Sequence, residues 1–180
     1  MPLVFPGLLE EQPKAEFYVD VLDQAAAVLK DQRNWCTNLA NVAALLYHSF
    51  QESPDPKHQK VNWVGFYLLN DRQTPDTLWL GPFQGKIACT SIKVGQGVCG
   101  TAVATLTPQV VDDVHECSHY ITCDPNSRSE IALPLTPEVG KPLVGVLAVD
   151  CTEATGFDET DNIALDALVE LVCEACDWNF

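Results

Sequence analysis

The chain has 180 residues, 47% of them hydrophobic and 19% charged, enough for one domain with a real core and too few for two comfortable ones. A formal net charge of −15 with only 10 Lys and Arg argues against a nucleic-acid partner, whose phosphates need clustered basic side chains. No apolar run approaches the roughly 20 residues of a membrane span, and "MPLVFPGLLEEQ" lacks the basic flank of a secretory signal. A cytoplasmic setting is therefore expected, in which the 8 cysteines are thiols rather than a disulfide framework.

Helices are expected over about residues 13–51. "FYVDVLDQAAAVLK" is rich in alanine and leucine, and Trp35, Leu39, Val42, Leu46 and Phe50 then recur every three or four positions. Two prolines in "ESPDPKHQK" end that pattern. From Val61 the period falls to two. "VNWVGFYLL" reads as a strand with Trp63 and Tyr67 on one face, and "TPDT" turns it into a second strand, "TLWLGPF".

"CTSIKV" reads as a third strand, Val98 to Leu106 as a short helix and "PQVVDD" as another strand. "HECSHYITCDPNSRS" fits neither period. "EIALPLT" and "PLVGVLAVD" then pair across a turn containing Gly140, and a helix from about Asp158 buries Leu165, Leu168, Val172 and Cys176. Terminal helices flanking antiparallel strands predict an α+β domain over 1–180, with sheet and loops at about 60–150 and a final helix at about 158–176.

"GQGVCG", Gly95 to Gly100, matches the dinucleotide-binding pattern, with Asp112 near the distance expected of a ribose ligand. The strand before it alternates polar and apolar residues, unlike a strand buried on both faces, and no second βαβ unit follows. The glycines read better as a tight turn carrying Cys99 to a helix N-terminus, where the thiolate is favoured.

Cys36, Cys151, Cys173 and Cys176 lie in or beside periodic segments and read as filler. His115, Cys117, His119 and Cys123 are too crowded for an ordinary zinc finger, and no metal is expected. Cys89, Cys99 and Cys123 remain, each in or beside a loop. That placement suits a redox cycle, which needs an activated thiol and a second thiol within reach.

"VNWVGFYLL", "LGPFQGKIAC", "GVCGTAVA", "ITCD" before "SEIALPL", and "GVLAVD" together resemble the free methionine-(R)-sulfoxide reductases, enzymes built on one GAF domain. The resemblance runs in order from about Trp35 to the last helix. It implies a GAF-like fold, with a central antiparallel sheet, N- and C-terminal helices on one face and a loop-covered ligand pocket on the other. It further implies reduction of free methionine sulfoxide by sulfenic acid and disulfide chemistry without a bound cofactor. Thioredoxin, itself served by NADPH, would be the external reductant, and pairing as a homodimer is expected.

By that resemblance Cys123 attacks and Cys99 or Cys89 resolves, whereas the helix-start reading favours Cys99 as the thiolate. A free amino acid carries an α-ammonium that a protein-bound methionine lacks, so the pocket should hold carboxylates. Glu130 and Asp150 match the family's pocket residues. Trp63, with Tyr67 on the same face, would offer an apolar wall to the sulfoxide methyl. Family members usually read D-x-D where this chain has "LAVD", so Ala148 replaces one carboxylate, and Asp124 is a candidate substitute. The rival readings are a GAF sensor that binds a small ligand without catalysis and a zinc-bound structural module.

Overall fold

The computed structural model describes residues 13–117, 120–137 and 142–180. The N-terminal stretch read against a secretory signal, His119, and the expected turn residue Gly140 lie outside these described residues. Two helices open the fold, α1 (Pro13–Leu29) and α2 (Trp35–Gln51). Six strands follow: β1 (Val61–Leu68), β2 (Thr77–Gly85), β3 (Ser91–Lys93), β4 (Gln109–Val111), β5 (Ser129–Leu135) and β6 (Gly145–Cys151). Helix α3 (Gly97–Thr105) sits between β3 and β4, and α4 (Glu159–Ala175) closes the chain. The strands form one antiparallel sheet in the order β3-β2-β1-β6-β5-β4.

Each expected element is present, within a few residues of its expected limits. The stretch expected to be irregular, 115–129, contributes no strand among its described residues before Ser129, where β5 begins. β3 is only three residues long and runs antiparallel to β2, which removes the parallel unit that a dinucleotide site would require.

The central strand β1 is buried on both faces, and its two faces do different work. A register shift between Val61 and Trp63 against β6 puts Val61 with Val64, Phe66 and Leu68 in the larger core, beneath α1, α2 and α4. Trp63 and Tyr67 project to the other side, into a smaller cluster with α3. Leu39, Val42, Leu46 and Phe50 of α2 pack on the larger core, as their spacing predicts.

One buried polar cluster ties the helices together. Asp158 and Asp161 form a reciprocal capping box at the start of α4. The Asp161 side chain accepts hydrogen bonds from Tyr18 Oη at 2.7 Å and Lys14 Nζ at 2.6 Å, both on α1. His58 Nε2 lies 2.7 Å from the same carboxylate, and His58 Nδ1 is 2.9 Å from Ser53 Oγ. The Asp158 backbone N–H donates to it as well. Asp161 is fully buried, and this set of partners fulfils the condition under which a buried carboxylate is tolerated.

Among the described residues, no helix is long and apolar enough to cross a membrane.

Candidate active site

A cavity opens on the sheet face away from α1, α2 and α4. Its floor is β1, β5 and β6, and one wall is the start of α3. Two loops, residues 86–88 and 120–124, close it from above. The register of the last two strands sets Glu130 directly opposite Asp150, and Asp150 in turn faces Trp63 on β1. Two carboxylates thus share one face at the separation of a cross-strand pair. The indole of Trp63 stacks between Tyr67 and Phe83, with centroids 5.8 and 5.5 Å away.

The glycines of "GQGVCG" explain how α3 reaches this floor. Gly97 has a φ of +64°, in the region that side chains disfavour. A Cβ on Gly100 would sit 2.3 Å from the Lys93 carbonyl oxygen. The first turn of α3 therefore folds tightly against the exit of β3 and drives Cys99 into the cavity. Cys99 lies in that first turn, at the helix start expected from the sequence.

Cys89 and Cys123 are joined by a disulfide, with Cα atoms 5.4 Å apart and a sequence separation of 34. The bond ties the two covering loops to each other. Tyr67 Oη donates a 2.9 Å hydrogen bond to the Cys89 carbonyl, anchoring one loop to the floor. Lys86 Nζ lies 3.6 Å from Asp124 Oδ2, a second and weaker link between the loops. The space left beneath them is about 30 Å³, room for roughly one or two waters. An amino-acid-sized ligand must displace a loop to enter.

The electrostatics are set by burial. Glu130 is 7% exposed, and loss of solvent pushes its carboxyl up to about 7. Desolvation also holds Asp150 well above the usual carboxylate range, with the Glu130 and Asp124 charges adding to the rise. Two such groups side by side titrate as a unit, and the pair gives up its last proton at a higher pH than a lone exposed carboxylate does. The phenols of Tyr67 and Tyr120 are raised above their ordinary value, chiefly by burial, and stay neutral.

Cys99 corrects an expectation. Its helix-start position was expected to favour the thiolate, yet the residue is 4% exposed. Burial, followed by the neighbouring Glu130 charge, raises its thiol well above the usual range. Its Sγ donates to Glu130 Oε1 at 3.2 Å. Desolvation outweighs the few free N–H groups of a helix start, so Cys99 is a neutral thiol.

Trp63, Tyr67, Cys99, Cys123, Asp124, Glu130 and Asp150 all line the cavity, and Cys89 joins them through its disulfide. Asp124 is a poor stand-in for the carboxylate that Ala148 lacks. Its Oδ1 accepts from the backbone and side chain of Asn126, and its Oδ2 from Asn62 Nδ2 at 3.2 Å. The Asn126 backbone N–H is the main influence holding its carboxyl below the ordinary value. Ala148 itself lies on the cavity floor, 2% exposed.

Sequence reasoning missed Lys86, Tyr120 and Ile121 as lining residues. Tyr120 stands three positions before Cys123, and an aromatic that close to a candidate thiol was the available signal. Of the remaining cysteines, Cys151, Cys173 and Cys176 are buried and Cys36 is exposed, matching their reading as filler. Among the described residues there is no cluster of three or more His, Cys, Asp or Glu suited to a metal.

A family model described as a GAF domain matches residues 59–176. The free methionine-R-sulfoxide reductase of Escherichia coli is 45% identical over 156 residues, 87% of this chain and 86% of that protein. The Saccharomyces cerevisiae protein of the same name is 38% identical over 163 residues, 91% of this chain and 87% of that one. The X-ray structure of the free methionine-R-sulfoxide reductase from Neisseria meningitidis in complex with its substrate superposes with a TM-score of 0.81. It is 39% identical, covering 97% of this chain and 95% of that one.

Proposed function

Because this chain belongs to the free methionine-R-sulfoxide reductase family, built on the GAF domain, we propose that it reduces free L-methionine-(R)-S-oxide to L-methionine. The observation that carries this reading is the Cys89–Cys123 disulfide closing a cavity floored by a facing carboxylate pair. The preference for the R isomer rests on the relatives alone.

In the reduced protein the Cys123 thiolate attacks the sulfoxide sulfur. The proton held by the Glu130–Asp150 pair goes to the sulfoxide oxygen; that oxygen passes to the Cys123 sulfur as the transient S–S bond and the substrate S–O bond both break, and methionine leaves. Cys123 retains the oxygen as a sulfenic acid. The Cys89 thiol then attacks that sulfur, expelling water and forming the disulfide. A protein dithiol such as thioredoxin reduces the bond by exchange, taking up the oxidising equivalents as its own disulfide.

The pairing favours Cys89 over Cys99 as the resolving thiol. The carboxylate pair has a second task. A zwitterionic amino acid brings an ammonium to the ionised member, and a peptide-bound methionine cannot, so that charge would remain buried without a partner.

The test is NADPH oxidation in the presence of thioredoxin, its reductase and the separated isomers. Turnover is expected with the free R isomer and not with its N-acetylated form. A sensor domain would bind ligand and oxidise no NADPH.

The pair also sets a pH dependence. The sulfoxide oxygen needs a proton donor, and the pair loses its last proton as pH rises. The kcat/KM profile, which reports ionisations of the free enzyme, is therefore expected to fall on its alkaline side. In Asp150→Asn that fall should vanish together with most of the activity. A normal alkaline limb in this variant would remove the pair from proton transfer.

Ala148→Asp restores a carboxylate to the floor, two residues from Asp150 on the same strand face. A charge-assisted contact of about 1.5–3 kcal/mol predicts a KM about tenfold lower or better. An unchanged KM would show that the existing pair already satisfies the ammonium.

A further inference from the structure

Cys99 lines the cavity, yet it stands outside the disulfide, and the redox cycle above gives its sulfur no bond to make. It is buried, and among the described residues its one side-chain hydrogen bond is the 3.2 Å contact from Sγ to Glu130 Oε1. Glu130 accepts no other side-chain hydrogen bond among the described residues, and its strand neighbour Asp150 has no comparable donor. The two carboxylates face each other on β5 and β6, Glu130 buried and Asp150 half-buried. The thiol contact sets Glu130 further apart from its neighbour.

We propose that Cys99 is a positioning residue. Its S–H donates to Glu130 and so fixes Glu130 as the charged member that receives the substrate ammonium, leaving the proton on Asp150 for the sulfoxide oxygen. The proposal rests on the reductase reading and deepens it by dividing the labour of the pair.

A donor to a carboxylate stabilises its ionised form. The thiol is itself neutral, so exchanging it for another neutral side chain changes no charge in the cavity. The other groups around Glu130 stay constant in that exchange. They are Asp150 on β6, Tyr67 on β1, and Tyr120 and Asp124 on the covering loop, Asp124 being linked to Lys86. Glu130 ionises first because it has the donor, and Asp150 then meets both burial and the Glu130 charge.

The sign follows directly. Ammonium binding needs ionised Glu130, so affinity should rise as pH climbs through the Glu130 ionisation. Losing the donor raises that ionisation by about one pH unit, from the strength of a hydrogen bond to a charged group. The midpoint of the affinity curve should move up by the same amount.

The experiment measures calorimetric binding of free methionine-(R)-sulfoxide between pH 5 and 9. Full-length Cys123→Ser protein is used, in which substrate cannot be turned over. Adding Cys99→Ala should shift the midpoint upward by about one unit and weaken binding up to about tenfold below it. Cys99→Ser, which keeps a donor, should restore the curve. Cys99→Val, a second non-donor whose larger side chain leaves no void, should behave as Cys99→Ala does if the hydrogen bond and not a packing void is responsible.

Unchanged midpoints in both non-donor variants would overturn the proposal. So would a serine variant that binds as poorly as the alanine one. Failure of the reductase reading looks different: the unmodified protein would then fail to reduce the sulfoxide, whatever its binding curve.

Discussion

Cys123→Ser is expected to lower methionine formation by about three orders of magnitude or more, because a hydroxyl does not replace a thiolate as the nucleophile. Cys89→Ser should behave differently. Its first turnover is intact, so a single equivalent of methionine per chain should appear in a rapid-mixing experiment before the reaction stalls. The stalled protein should carry a sulfenic acid on Cys123, visible by mass spectrometry after trapping with a sulfenic-specific reagent. Cys99→Ser should sustain multiple turnovers, since the disulfide joins the other two thiols. A full burst from Cys123→Ser would move the attack to another cysteine and overturn the mechanism.

Asp161→Ala should be among the most destabilising single substitutions on the opposite face. The carboxylate is completely buried and serves Lys14, Tyr18 and His58 at once. Removing it leaves the Tyr18 hydroxyl without its acceptor and takes from Lys14 the shortest of its carboxylate contacts, at the junction of α1 and α4. Breaking a buried pair from one side costs about 3–5 kcal/mol. That loss should appear in urea denaturation as a lower midpoint with an unchanged slope. Tyr18→Phe, which deletes one donor, should cost about 1 kcal/mol. Specific activity of the folded fraction should remain, because the sheet separates this cluster from the cavity. A loss under about 1 kcal/mol for Asp161→Ala would show that other groups or water take over the carboxylate's partners.

The elements of the fold were readable because hydrophobic spacing reports burial, and burial is what folds the sheet and helices. The period-two pattern of "VNWVGFYLL" placed Trp63 and Tyr67 together, and both reach the cavity. The same pattern could not show the register shift that sends Val61 to the helix side, since such a shift leaves no signature in composition. Glu130 and Asp150 were singled out separately. Their direct opposition depends on the register of β5 against β6, a long-range quantity set by the whole hairpin.

Cys99 shows the limit most clearly. Its sequence neighbourhood reports a helix start, which stabilises a thiolate, whereas its chemistry is governed by depth. Depth arises from Gly100 letting α3 press against the Lys93 carbonyl, together with the position of β5 beneath. The choice of disulfide partner was likewise hidden. Cys123 is 24 residues from Cys99 in the chain and 34 from Cys89, and it bonds with the more distant one. Placement in the sequence and then the family resemblance both left three candidates, and only the folded loops selected two.

The bond between Cys89 and Cys123 also dictates an order of events. Cys123 cannot hold its electron pair ready for a sulfoxide while it shares that pair with Cys89, so reductant and oxidant must visit in turn. Methionine departs before the dithiol arrives, and the oxidised dithiol departs before the next sulfoxide reacts. Initial rates measured at several fixed reductant concentrations should therefore give parallel double-reciprocal lines, the mark of a ping-pong cycle with no ternary complex.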